Sequence, residues 1–439
     1  MLVVLSVVAL LIGTSAEVGP AAASSPGAPS PGGETPTAAA PATSSTEAPP
    51  APVRHGPLSL DSSQATGDWG GERTKLEEHG IKISGFLTDY YMGIFKGGLE
   101  TKRAYRNYAS LDILAAFDFG KLGLWDDGEA LLHLQDYWGL GVNPWSGALR
   151  QVSDDGDDEG FVIAQLWYRH YFLDRKVHLQ AGFLDYQTII DRNAYANSED
   201  RQFQNLGLDN NPLIPLGPGL GVALTVQPVD WYTFMLGTLD AQTYPILYKP
   251  GFSTAFHDEA WFIGYLEHGF AVKLPGPRGE LPGNYRFGML FDPRPRAEYA
   301  SGELEGDDYG FWSSCDQLVY REVEGKDQGL GLFARLGLLH GDHNRFSEFY
   351  SGGMQYKGLV PGRDDDVLGV GCTVHNTSRQ YSRFVSDAPG TETVYEAYYA
   401  IPVLKWLVIS PDLQYIDNPG ANGQLGHTIV GGLRVRINF

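Results

Sequence analysis

The chain has 439 residues, a formal net charge of −21, 55 glycines and 12% aromatic residues. That acidity argues against nucleic-acid binding, which needs a basic face, and beyond residue 25 no apolar run approaches the roughly 20 residues of a membrane helix. A helical integral protein is therefore excluded, whereas a β-barrel, whose strands alternate polar and apolar side chains, escapes such a scan.

Residues 1–12 are almost wholly apolar and lead into Gly13-Thr14-Ser15-Ala16. This is the pattern of a secretory signal over 1–16, although the usual positive leading region is missing. The competing reading, a membrane anchor, needs a longer run. Residues 17–66 form the next segment. From Glu17 to about Pro57 it is rich in Ala, Pro, Ser, Thr and Gly, with no Lys or Arg before Arg54. Such a composition cannot bury a core and predicts a disordered periplasmic spacer. Order is expected to begin over 67–80, Gly67-Asp68-Trp69-Gly70-Gly71-Glu72-Arg73-Thr74-Lys75-Leu76-Glu77-Glu78-His79-Gly80. Asp68 suits an N-cap and Gly80 a C′ position, so this segment predicts a short helix packed at one barrel mouth.

The barrel domain is expected over 81–439. Sixteen strands are placed at 81–93, 105–120, 128–137, 161–172, 176–186, 219–227, 231–240, 259–274, 283–291, 310–322, 328–339, 347–359, 366–376, 392–403, 406–417 and 428–439. The connections 173–175, 228–230 and 404–405 are very short and 361–365 only slightly longer. Long polar loops fall near 138–160, 187–218, 241–258, 292–309 and 377–391. Short turns alternating with long loops are what a transmembrane barrel requires, and an even strand count leaves both termini on the periplasmic side.

Side-chain alternation agrees. Tyr285, Phe287, Met289 and Phe291 oppose Arg286, Gly288 and Asp292. Leu330, Leu332, Leu336 and Leu338 oppose Phe333 and Arg335. Leu407, Ile409, Leu413 and Tyr415 oppose Ser410, Asp412 and Gln414. Ala130, Leu132 and Leu134 oppose Glu129, His133 and Gln135. In the final strand Leu433, Val435, Ile437 and Phe439 oppose Arg434, Arg436 and Asn438. Apolar residues facing lipid and charged residues facing a wet lumen give this pattern, with aromatics such as Trp125, Trp138, Trp231, Trp261 and Trp406 near strand ends as interfacial girdles. Sixteen strands enclose an aqueous channel and not a packed core. The expected fold is an all-β, 16-stranded antiparallel outer-membrane porin barrel with a short N-terminal helix.

Several stretches resemble a known family: Gly67 to Leu76, Gln165-Leu166-Trp167-Tyr168 with Gly182-Phe183, Leu281-Pro282-Gly283-Asn284-Tyr285-Arg286, Tyr356-Lys357-Gly358, Pro411 to Gly420, and the tail Gly432 to Phe439. Together they resemble the carbohydrate-selective porins of the OprB family from about Gly67 to Phe439. The resemblance implies an outer-membrane channel passing monosaccharides or small oligosaccharides by diffusion, with a third outer loop, here about 187–218, folding inward to narrow the pore. Some members carry a basic residue at the lumen end of the third strand, where this chain has Tyr137-Trp138.

Selectivity in such a pore needs charged and polar groups facing one another at the waist, with aromatic faces for sugar C–H surfaces. The candidates are Arg169, Asp185, Asp191, Arg192, Asn193, Arg286, Arg335, Arg434 and Arg436, with Trp167 and Tyr137 as platforms. For each one singly, an ordinary wall residue paired with a neighbour is the plainer reading. The run Asp154-Asp155-Gly156-Asp157-Asp158-Glu159 lacks the spacing of a calcium loop and reads as a solvated outer loop. Divalent bridging to lipopolysaccharide is the sharper alternative. No metal pattern links the histidines, no carboxylate pair singles out a glycosidase, and no cofactor is expected. Cys315 and Cys372 fall three strands apart, too far for a disulfide. Expected partners are small sugars, outer-membrane lipid and lipopolysaccharide, and the barrel-assembly machinery through the strand ending at Phe439, with the chain a monomer or homotrimer. The rival readings are a general or differently selective porin and a secreted β-rich carbohydrate-binding or hydrolytic protein; solubility without detergent separates the last from the others.

Overall fold

The computed structural model describes residues 62–102, 104–157, 160–215, 217–241, 261–384 and 390–439. The signal over 1–16 and nearly all of the spacer lie outside the described residues, as do Asp158, Glu159 and most of the 241–258 loop.

Sixteen antiparallel strands close into a barrel. They are β1 Ile81–Lys96, β2 Tyr105–Asp118, β3 Gly128–Trp138, β4 Gly160–Phe172, β5 Val177–Leu184, β6 Gly219–Val229, β7 Tyr232–Asp240 and β8 Phe262–Leu274. The second half is β9 Leu281–Asp292, β10 Asp308–Arg321, β11 Gly329–Leu339, β12 Phe346–Lys357, β13 Val367–Thr377, β14 Thr391–Leu404, β15 Leu407–Asp417 and β16 Thr428–Asn438. Every strand pairs with its sequence neighbours, and β1 closes on β16 through pairs such as Leu87 with Ile437 and Tyr91 with Leu433. All sixteen expected strands are present, shifted by a few residues at their ends. Loop lengths sort by end less strictly than expected: the outer connection 340–345 is shorter than the periplasmic turns 119–127 and 358–366.

The alternation holds across the wall. Phe287, Leu332, Tyr395 and Leu413 face outward and are exposed, while Ser314, Arg335, Thr373, Gln414 and Arg434 face inward and are buried. Some outward carboxylates depart from it, Asp89 and Asp136 among them. Asp89 on β1 is satisfied by the Asn107 amide, which donates to it at 2.5 Å; nothing in the structure explains the outward placement of Asp136 on β3.

Two further differences have a clear cause. The inner wall is not uniformly polar: Leu184, Met235, Leu239, Ile263, Tyr265, Leu290 and Trp312 form a buried inward cluster with Tyr186, Ile190 and Ile214 of the β5–β6 connection. A barrel this wide leaves space that wall side chains cannot fill, so loops enter it and need apolar seats. Phe439 is likewise not an open interfacial ring. It is buried with Ala65 and Trp406 against Leu87, Leu111 and Ile437, because the segment before the helix runs over this outer corner and Ala65 N–H donates to Asn438 O at 2.9 Å.

The helix spans Glu72–Glu78, with Gly71 and not Asp68 at its N-cap. Asp68 still stabilises the first turn, since its carboxylate accepts both the backbone N–H and the hydroxyl of Thr74 at 3.0 Å. Gly80 then turns the chain into β1 at φ +90°, a conformation that glycine adopts without strain.

Cys315 on β10 and Cys372 on β13 are both free thiols, about 14 Å apart at roughly 4.8 Å per strand. Thiol titration of unreduced, unfolded protein is therefore expected to find both cysteines reactive, and a titre of zero contradicts the strand order.

Candidate functional site

The connection between β5 and β6 leaves the wall at Asp185 and crosses the lumen. Asp185 caps its first turn by accepting from Gln187 N–H at 3.0 Å, and the Tyr186 hydroxyl donates to Val222 O at 2.7 Å and Thr238 O at 3.0 Å. The chain then bends at Asp191, whose φ is +52°. Asp191 N–H donates to Glu267 on β8 at 2.7 Å. Asn193 donates to Cys315 O at 3.0 Å and Ser314 Oγ at 3.3 Å.

Three arginines of the far wall fasten the rest of the loop. Arg335 has a fully buried side chain with Nε 3.1 Å from Asp191 Oδ2. Its Nη1 donates to Leu208 O at 3.1 Å and Asp209 O at 2.9 Å. Its Nη2 donates to Asp191 O at 3.1 Å and Asn197 Oδ1 at 2.7 Å. Arg434 donates to Glu199 O at 2.5 Å and Gln202 O at 2.7 Å. Arg436 lies 2.6 Å from Asp200 and 4.2 Å over the Phe86 ring. Burial pushes the Asp200 carboxyl up, but Arg436, Arg201 and the Ser198 hydroxyl outweigh it and hold it at about 2. Glu396 on β14 completes the seat, accepting Gln204 N–H at 2.6 Å and Asn205 N–H at 3.0 Å.

Glycines on β11 make room for this loop. A Cβ at Gly331 would sit 2.1 Å from the Tyr195 ring, and one at Gly337 would sit 2.6 Å from Asn211 Oδ1. The inward row Gly331, Phe333, Arg335, Gly337 is thus shaped as a socket.

The β3–β4 connection also folds inward, contrary to the solvated outer loop expected of its acidic run. Asp155 is buried, accepting from the Tyr90 hydroxyl at 2.9 Å and Ser110 at 3.0 Å. Leu206 N–H donates to Gln151 O at 3.1 Å, so the two loops form one body inside the barrel.

A different part of the candidate set stays open to the lumen. Arg169 on β4 and Arg286 on β9 keep 18% and 17% of their side chains exposed, against 0% for Arg335. Arg169 donates to Gln180 Oε1 at 2.7 and 3.1 Å and stands 4.7 Å over Trp167. Arg286 donates to Arg192 O at 2.7 Å and Asp316 at 3.3 Å. Burial pushes the Arg192 guanidinium down, as does the positive charge of Arg286 and, more weakly, of Arg169, so the three cations lie within electrostatic reach of one another. Trp167 Nε1 donates to Gln165 at 2.9 Å, Tyr137 is half-buried at the outer end of β3, and His133 and Gln135 both meet Asp112 at 2.7 Å. The partners Asp112, Gln165, Gln180 and Asp316 were absent from the sequence-based set, although each falls at an inward position of its strand.

An apolar-outside closed barrel with inserted loops and an ionic, arginine-lined passage defines an outer-membrane porin. The carbohydrate-selective porin family, OprB, matches residues 102–439, and the chain belongs to that family. Porin B of Pseudomonas aeruginosa is 22% identical over 426 residues, covering 87% of this chain and 92% of that protein. The putative porin QuiX of Acinetobacter baylyi is 23% identical over 424 residues, covering 87% and 94%. The high-pH structure of Pseudomonas putida OprB shares the fold with a TM-score of 0.77 at 21% identity, covering 87% of this chain and 99% of that one. The protein is an outer-membrane sugar channel, and its family and fold point to transport and not to catalysis.

Arg335→Ala removes one partner of a buried pair and is expected to destabilise the loop seat by about 3–5 kcal/mol, read as a higher and noisier single-channel conductance in planar bilayers; an unchanged conductance contradicts the fastening role. The Asp200–Arg436 contact has a depressed carboxyl, so it holds at full strength above the ordinary range near pH 4 and is lost only as pH falls through about 2. Asp185 behaves oppositely: burial pushes its carboxyl up to about 6 against the Gln187 N–H bond. Its contribution to stability is therefore complete below about pH 4 and lost as pH rises through about 6. Because the pore carries this negative charge only at higher pH, the cation-over-anion permeability ratio is expected to drop between about pH 7 and pH 5. In Asp185→Asn that drop shrinks.

Proposed function

We propose that small sugars diffuse through the gap between the near edge of the crossing loop and the β2–β5 sector of the wall. Trp167 serves as the stacking face, with Tyr137 a second one nearer the outer mouth, and Arg169, Arg192 and Arg286 supply donors to sugar hydroxyls. The observation that carries this reading is the pairing of Arg169 over the Trp167 ring at 4.7 Å. An aromatic ring with a fixed donor held against it is how polyhydroxylated ligands are bound. Asp316 and Glu267 oppose the cations, so the passage is polar without being strongly biased to one sign. Passage is passive and uses no cofactor.

Asp191, Asn193, Arg335, Arg434 and Arg436 act on the sugar indirectly, by fixing the loop edge. Residues 1–16 are assigned as a cleaved signal and 17–66 as a periplasmic spacer, which N-terminal sequencing of the outer-membrane form checks directly. The strand ending at Phe439 is assigned to engagement of the barrel-assembly machinery.

Liposome swelling with glucose and with charged solutes of equal size tests the selectivity, and equal rates would remove it. Trp167→Ala is expected to weaken sugar binding by roughly 1 kcal/mol, about a fivefold rise in the glucose concentration that half-blocks the ion current. An unchanged half-block takes Trp167 out of the pathway.

A further inference from the structure

A separate cavity lies at the outer mouth, between the extracellular ends of β9–β12, the β3–β4 loop and the closing part of the crossing loop at Pro212–Pro215. It measures about 220 Å³, and Arg150, Arg296, Arg345, Phe346, Asp292 and Asp308 line it together with apolar residues such as Leu213, Leu290 and Leu339. At about 30 Å³ per water it holds roughly seven waters, enough for one sugar ring.

Its acids are already taken. Asp292 binds Arg294 at 2.7 Å and also Arg296. Asp308 binds Arg296 at 2.6 Å, Asn344 at 2.6 Å and His343 at 3.2 Å. Arg150 and Arg345 are left, set at 4.7 Å and 5.0 Å over the same Phe346 ring. Among the described residues neither makes an ion pair, and the Arg150 Nε is buried without a hydrogen-bond partner. Glu392 acts on Arg150 through its charge but makes no ion pair with it; its Oε2 accepts the N–H groups of Leu149 and Gly420, each at 2.8 Å, and its Oε1 is buried without a hydrogen-bond partner. Two like charges around one ring repel, and guanidinium forks match carboxylates bidentately.

We propose that this cavity is a capture site for the carboxylate of an acidic monosaccharide, with Arg150 and Arg345 gripping the anionic group and Phe346 lying against the ring. The site rests on the reading of the pore as a sugar channel and sets a substrate class for it: uronate-type sugars are concentrated at the mouth before they reach the waist.

The test uses the full chain in planar bilayers, with D-glucuronate, D-glucose or acetate added on the long-loop side and the half-blocking concentration measured for each. Glucuronate is expected to block at about a tenfold lower concentration than either glucose or acetate, the order of one charge-assisted hydrogen bond. In the double variant Arg150→Gln, Arg345→Gln the ratio of glucuronate to glucose should collapse to near one. Equal glucuronate and glucose blocks in the unmodified protein overturn the proposal while leaving the sugar channel intact. Acetate matching glucuronate reduces the cavity to a simple anion site and also overturns it. No block by either sugar removes the channel reading together with this one. Should the double variant fail to insert, the comparison of the three solutes on the unmodified protein decides alone.

Discussion

The pore depends on one buried cation. Arg335 projects from the far wall into the lumen, and its planar fork joins Asp191 at the start of the crossing loop to Leu208 and Asp209 near its end. A guanidinium taken out of water this completely is costly unless it is paired and hydrogen-bonded; here Nη1 and Nη2 carry the hydrogen bonds and Nε lies 3.1 Å from the Asp191 carboxylate. The loop supplies three backbone carbonyls and an amide oxygen, so the wall residue and the loop conformation require each other. Without the fork, the carbonyls at both ends of the loop would lose their donors together, and the segment would no longer be held across the lumen.

The fastening is one-sided, and that produces the passage. Arg335, Arg434, Arg436 and Glu396 tie the loop to β11, β14 and β16, while the apolar cluster around Tyr186 and Tyr265 seats its beginning on β7, β8 and β9. The β3–β4 loop packs on it from β1 and β2. On the inner faces of β3 and β4, Trp167 packs against that apolar cluster, but Arg169, Trp167 and His133 there keep water access. The same asymmetry explains why the inner wall is apolar in some sectors and ionic in others: apolar where a loop must dock, ionic where solute must pass.

The strands were legible because their information is local. Each wall residue reports its face by its neighbours two positions away, and Leu332 outward against Phe333 and Arg335 inward reads correctly from the chain alone. The loops were not, because their partners are distant in sequence. Nothing near Arg434 announces that it will meet Glu199, and the acidic run at 154–159 looks solvated until Tyr90 and Ser110 are seen to take Asp155. One signal was present and unread: the row Gly331-x-Phe333-x-Arg335-x-Gly337, whose small inward residues mark a place where backbone or rings approach the wall closely. Inward orientation is therefore a weak guide to a waist, since it groups buried fasteners such as Arg335 with open residues such as Arg286.

Side-chain type sorts the same way. Among the described residues the cations within the barrel at depth, from Arg169 and Arg286 to Arg335, Arg434 and Arg436, are arginines, whereas the inward lysines Lys82, Lys273 and Lys357 stand at strand ends. A lysine carries a compact, strongly hydrated charge with three donors, suited to a rim where water remains. Arginine keeps its charge on burial and offers five donors in a fixed plane. That plane lets Arg335 and Arg434 each hold several loop groups, and lets Arg169 lie over Trp167 while still donating to Gln180. In a chain of net charge −21, the positive charge that reaches the lumen is thus placed by geometry: where a loop must be held or a hydroxylated solute met edge-on, a rigid fork is required and a point charge is not enough.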